Sequence, residues 1–175
     1  MTLYLFVEGS TDQQFIEKVL MPHLFVKPKF VLYAQKSSDY LRRLLRSLRS
    51  MLEQGLADYY ALMDMDDRPC YTACHQYLRE RFGSELTPDR IFVANRCIEA
   101  WYLAGYTGSP YLKRKGIKLP TQSEGLRKVD FRNAAINAGL DPTVVRSGIL
   151  ANYDLVQARQ RSPSLDYCCK KLGIP

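Results

Sequence analysis

Apolar positions along this chain follow two rhythms that take turns. Residues 2–7 run through Leu3, Tyr4, Leu5, Phe6 and Val7 almost without a polar break, the sign of a strand covered on both faces. Residues 30–34, 59–64 and 91–94 repeat that short, β-prone character. Between them the spacing becomes helical: Phe15, Ile16, Val19 and Leu20 share one face, as do Leu41, Leu44, Leu45, Leu48 and Leu52, and then Tyr71, Cys74, Tyr77, Leu78 and Phe82. Pro22, Gly55 and Gly83 close these stretches. Ser10 with Gln13, or Thr11 with Gln14, predicts a capping box for the first helix, and Ser38 or Asp39 a cap for the second. Strands alternating with helices predict a parallel α/β sheet of four strands with right-handed crossovers.

Ile98, Trp101 and Tyr102 continue at helical spacing until Gly105, and there the character changes. Residues 105–120 are rich in Gly, Pro, Tyr and Lys, while 127–138, 144–161 and 165–172 read as helices with no convincing strand. The expected organisation is an α/β core over residues 1–104. Residues 105–175 form a basic loop and a C-terminal helical extension packed on it.

A chain of 175 residues can bury a core without disulfides or a structural metal. Its 5 cysteines are odd in number and match no zinc spacing, and of its two histidines His75 directly follows Cys74, poor geometry for two ligands of one ion. No charged leader with an apolar signal core opens the chain, and no apolar run is long enough to span a bilayer. A cytoplasmic protein without membrane contact is expected.

Charge changes the picture more. Lys and Arg number 25 against 18 Asp and Glu, a net charge of +7, and the excess is clustered. Arg42, Arg46 and Arg49 stack along one helix face, and Lys113, Arg114, Lys115 and Lys118 follow in the basic loop. Such rows suit a polyanion such as nucleic acid, or serve only as a solvated surface.

The acids are placed differently. The third strand empties into Asp64, Asp66 and Asp67. Ligands of an open parallel sheet sit beyond the carboxyl ends of its strands, and side chains two apart on a strand share a face, so Asp64 and Asp66 can reach one cation. Hard oxygen ligands suit Mg²⁺ or Mn²⁺; an acidic loop after a strand is the plainer reading. Glu8 closes the first strand, Asp12 lies in the following helical turn, and Glu99 falls near the start of the helix after the fourth strand.

Val7-Glu8-Gly9-Ser10-Thr11-Asp12 after a first strand, with Asp64-Met65-Asp66 after a third, resembles the toprim fold, a Rossmann-like sheet shared by topoisomerases, primases and the overcoming-lysogenization-defect nucleases. Ile98-Glu99-Ala100-Trp101 is similar to the Glu-x-Trp element of small standalone toprim-like proteins, the family of unknown function numbered 4276 and its relatives. The resemblance covers about residues 3–104. It implies a divalent-metal site in which Asp64 and Asp66 bind Mg²⁺ (or Mn²⁺), and Glu8 binds metal or acts as acid or base. Asp12 joins them as in the overcoming-lysogenization-defect nucleases, and Glu99 either contacts the metal or pairs with Arg96 or its own helix end.

The activity implied is metal-dependent endonuclease cleavage of DNA or RNA, with Glu8, Asp64 and Asp66 catalytic. Arg42, Arg46, Arg49, Lys113, Arg114 and Lys115 would hold the nucleic acid. The resemblance also implies a phage-defence or mobile-element setting, beside a separate ATPase subunit, since the chain has no Gly-x-x-x-x-Gly-Lys-Ser/Thr loop of its own. Four neighbouring acids would repel one another without a cation, and metal-held phosphodiester chemistry needs such a set. The alternative is a catalytically inactive toprim-like module that binds nucleic acid or a partner in a defence complex. Small-phosphoester chemistry fits less well: phosphatases of the haloacid-dehalogenase type usually have Thr or Val where this chain has Arg68.

Overall fold

Alternation along the strands sorts their side chains onto two faces, and the fold follows from covering both. The computed structural model describes residues 1–119, 123 and 125–175, so Pro120, at the end of the basic loop, lies outside the described residues. Four strands, β1 (Thr2–Val7), β2 (Lys29–Leu32), β3 (Ala57–Asp64) and β4 (Ile91–Ala94), form one parallel sheet in the order β2-β1-β3-β4. The α/β class with a four-stranded parallel sheet, flanked by helices and followed by a helical extension, is as expected.

On one face Phe6, Tyr59, Ala61, Met63 and Val93 pack under α2 (Ser38–Glu53) and α3 (Tyr71–Phe82), through Leu41, Leu45, Leu48, Cys74, Leu78 and Phe82. On the other, Leu3, Leu5, Val7, Leu62 and Phe92 meet α1 (Ser10–Phe15) and α4 (Ile98–Ala104). The same apolar cluster continues through α5 (Pro110–Arg114), α6 (Lys128–Asn137), α7 (Pro142–Leu150), α8 (Leu155–Arg161) and α9 (Pro163–Lys171). Core and extension thus share one buried interior on this side.

Local chemistry differs from expectation at the element ends. The amino end of α1 is closed by Asp12, whose Oδ2 accepts from the Gly9 N–H at 2.9 Å, not by the Ser10 or Thr11 boxes. Ser37 rather than Ser38 or Asp39 caps α2, its Oγ accepting from the Tyr40 N–H at 3.3 Å. Ladder pairing in β2 stops at Leu32, and residues 33–35 tighten into a 3₁₀ turn. The helix read over 144–161 is broken between α7 and α8, where Tyr153 packs on Gly105 and donates its hydroxyl to the Trp101 carbonyl at 2.8 Å; a Cβ at Gly105 would meet that ring. Asp154 then caps α8 through the Gln157 N–H at 3.0 Å. Among the described residues no helix is long and apolar enough to cross a membrane.

Candidate functional site

A parallel sheet delivers every strand's carboxyl end to one edge, and here that edge collects acids. Glu8 follows β1, Asp64 ends β3, Asp66 lies two residues beyond, and Glu99 sits in the first turn of α4 after β4. Asp12, in the first turn of α1, completes the set. Asp12, Asp64 and Glu99 are 5%, 4% and 2% exposed, far more buried than carboxylates normally are.

Asp64 is the least satisfied of them. Its Oδ1 is buried without a hydrogen-bond partner among the described residues, and its Oδ2 lies 3.6 Å from the Lys128 Nζ at the start of α6. Burial holds its carboxyl well above the usual range; the charge of Asp12 adds to that, Lys128 opposes it, and Glu99 and Asp66 add further. Asp12 is pushed up to about 6, by burial first and by Glu8, against the lowering influence of the Gly9 N–H and Lys128. Burial works against the Lys128 ammonium, yet Asp64, Glu99, Asp66 and Glu8 together hold it above its ordinary value. One ammonium therefore sits among five acids and does not neutralise them.

Among the described residues Glu99 is half-paired: Oε1 accepts from Arg146 Nη1 of α7 at 3.3 Å, while Oε2 is buried without a partner. Its cation is thus Arg146, not Arg96. Burial pushes the neighbouring Cys97 thiol up, with Glu99 and Asp64 adding to the effect, so that thiol stays protonated. Asp66 and Arg96 both adopt left-handed backbone, at φ 48 and 67, and the Asp66 N–H donates to the Arg96 carbonyl at 2.7 Å. That bond extends the β3–β4 pairing past the strands and aims Asp66 toward Arg68, whose Nη1 lies 3.9 Å from Asp66 Oδ2. A hollow of about 470 Å³ opens here, lined by Asp66, Asp67, Arg96, Arg127, Lys128 and Val129.

Of the five predicted acids, Asp64 feels the charges of Asp12, Asp66 and Glu99, and Asp12 feels that of Glu8. Among the described residues, however, no three His, Cys, Asp or Glu side chains converge as a ready-made metal cage. By donor chemistry the set suits a hard divalent cation, since it is all carboxylate and two buried oxygens, Asp64 Oδ1 and Glu99 Oε2, have no partner among the described residues. Glu8, Asp12, Asp64 and Asp66 are the residues that would hold it, with Glu99 tied to Arg146.

The basic residues lie apart from this edge. Arg42 donates to the Glu80 carbonyl at 2.6 Å, and Arg49 is bound by Glu53 at 3.3 Å and by Glu85. Arg46 has no partner among the described residues. With Arg42 and Arg43 it lines a groove of about 610 Å³ between α2 and the end of α3. Lys113 sits with Lys118 and Arg161 around a second hollow of about 510 Å³, while Arg114 and Lys115 are exposed nearby. No hydrogen bond or ion pair among the described residues joins either group to the acids.

Sequence reasoning missed three residues at the site: Lys128, Arg146 and Tyr33. None belongs to a recognisable spacing, and each arrives from a different element. What fold and site define is an α/β protein with buried carboxylates gathered at the carboxyl edge of a parallel sheet. No protein-family model, curated protein or solved structure matches the chain.

Proposed function

We propose that this protein is a metal-dependent nuclease that hydrolyses phosphodiester bonds of DNA or RNA at the carboxylate edge of its sheet. The observation that carries the reading is Asp64: a buried carboxylate with an unpartnered oxygen, ringed by further acids and only partly compensated by Lys128. An uncompensated buried charge is costly, and a divalent cation removes that cost. When bound, Mg²⁺ or Mn²⁺ supplies charge for the attacking and leaving oxygens of a phosphodiester and lowers the pKa of a coordinated water.

The chain's own residues do the rest. Asp64 and Asp12 present buried oxygens from two rigid elements, β3 and α1, so their positions are set before any ligand arrives. Glu8 is half-buried with no hydrogen-bond partner among the described residues, and is free to take a ligand or a proton. Lys128, Arg127 and Arg96 line the hollow beside Asp66 and can hold a phosphate against the acids. Nucleic acid is the partner this reading requires; a separate ATPase subunit and a defence setting rest on the toprim resemblance alone.

Cleavage of labelled DNA and RNA by purified protein in Mg²⁺ or Mn²⁺, lost in Asp64→Ala, tests the proposal; equal cleavage by the variant sinks it. Lys128 favours a second reading, since its ammonium already stands over Asp64 where a cation is expected. In that reading the chain is a non-catalytic toprim-like binding module. Salt-dependent polynucleotide binding with no metal-stimulated cleavage would select it.

A further inference from the structure

The inference concerns Tyr33 and rests on the metal reading above. Register pairs Val7 with Leu32, so Glu8 and Tyr33 are the next residues out on adjacent strands. Ladder pairing ends there because β2 gives way to the 3₁₀ turn, and the turn carries the Tyr33 ring into the core under α3. The ring is 1% exposed. It meets Phe82 edge-on, with centroids 5.5 Å apart, and lies under the Arg81 guanidinium, also at 5.5 Å. Arg81 Nη2 further donates to the carbonyls of Tyr33 at 3.0 Å and Lys36 at 2.9 Å. Held on both sides and by its own backbone, this ring has no freedom to swing away.

Its hydroxyl is nonetheless buried with no hydrogen-bond partner among the described residues. A buried phenol so placed destabilises the fold, and such an orphan in a native fold calls for an explanation. A phenol is an O–H donor at neutral pH, and the carboxylates whose charges reach Tyr33 are Glu8, Asp12 and Asp64. Of those acceptors Glu8 is its register neighbour, is half-buried, and has a carboxylate uncommitted among the described residues. Asp12 is already engaged by Gly9 and Asp64 by Lys128.

We propose that Tyr33 is the positioning residue of the site: its hydroxyl donates to the Glu8 carboxylate when a divalent cation is held, fixing the orientation in which Glu8 serves as a ligand. With a cation bound, Glu8 would be the residue that turns toward it, and the Tyr33 phenol would set the angle of its carboxylate. An outer partner of this kind normally contributes about 10-fold or more to metal affinity.

The test is Mn²⁺ titration by calorimetry into the full chain, its Tyr33→Phe variant, Glu8→Ala, and the double variant, with melting curves for each. Tyr33→Phe keeps the ring and removes one oxygen. The expected result is an Mn²⁺ Kd raised about 10-fold in Tyr33→Phe at a metal-free melting temperature equal to or above that of the unaltered chain, and no further loss when Tyr33→Phe is added to Glu8→Ala. Unchanged affinity in Tyr33→Phe overturns the inference, as does an equal loss in both backgrounds, which would mean that Tyr33 does not act through Glu8. Absence of Mn²⁺ binding by the unaltered chain overturns the metal reading and this inference together, a result distinct from either of those. Independently, a crystal structure with Mn²⁺ should place Tyr33 Oη about 2.7 Å from a Glu8 oxygen; separation beyond hydrogen-bond reach overturns the inference even if a variant fails to fold.

Discussion

Two charged regions of this molecule invite the same reading in one dimension and part company in three. The arginine row of α2 is exposed, and two of its three members are already answered, Arg42 by the Glu80 carbonyl and Arg49 by Glu53 and Glu85. Three acids at the sheet edge, Asp12, Asp64 and Glu99, are buried, and Asp64 Oδ1 and Glu99 Oε2 have no partner among the described residues. Density of charge is common on protein surfaces and is cheap there, because water and nearby counter-charges screen it. Unmet bonding capacity in the interior is rare and costly. The second property, not the first, is what singles out the sheet edge as the candidate site.

The sharpest way to break this contrast is to remove Asp64. Asp64→Ala should lower metal-dependent cleavage on the order of 10³-fold while Arg49→Ala leaves it within about two-fold, as measured by single-turnover kinetics. Comparable losses would erase the distinction.

The next effect is on stability. Asp12 titrates at about 6 in the folded protein against an ordinary 3.8, so between those pH values the native state holds a proton that the unfolded chain has released. The metal-free protein should therefore lose stability as pH rises through that window, by about 3 kcal/mol from Asp12, with Asp64 acting in the same direction. Denaturant titrations in chelator at about pH 4 and about pH 7 check this, and Mn²⁺ should restore the loss at the higher pH. No comparable pH dependence should trace to the arginine row.

Smaller is the effect of the resident ammonium. Lys128→Met should raise Mn²⁺ affinity about 10-fold in dialysis measurements, because the variant removes a charge that repels the incoming cation at Asp64. Weakened Mn²⁺ binding would assign Lys128 to the ligand side instead. The smallest effect separates arginines within one helix: Arg46→Ala should weaken polynucleotide binding a few-fold and reduce the salt slope by about one, while Arg49→Ala changes neither.

Much of the framework was legible along the chain. β4 falls on residues 91–94 as its apolar run indicates, and β1 spans residues 2–7 likewise. The five acids could be singled out because each lies at or just past the end of a strand or in the first turn of the helix after it, a relation visible in one dimension. Lys128 and Arg146 could not, since they reach the site only when α6 and α7 fold back over α4, and nothing in their spacing encodes that. Tyr33 was hidden for another reason: it extends an apolar run and reads as the next residue of β2, whereas its carbonyl is taken by Arg81 rather than a strand partner. The caps at Gly9 and Ser37 missed expectation by a residue or so, because several Ser, Thr and Asp side chains compete there and only the backbone path decides among them.

The Glu99–Arg146 pair has a bearing on how the chain can be divided. Cutting at Gly105 would leave the sheet with its strands and first four helices, which on paper is a complete α/β layer. It would also strip the cover from Trp101 and Ile98 and remove the guanidinium that Glu99 depends on, leaving an interior carboxylate stranded. A shortened product of that kind should be recovered insoluble or molten, so the final seventy or so residues are better regarded as the missing wall of the sheet than as an appendage.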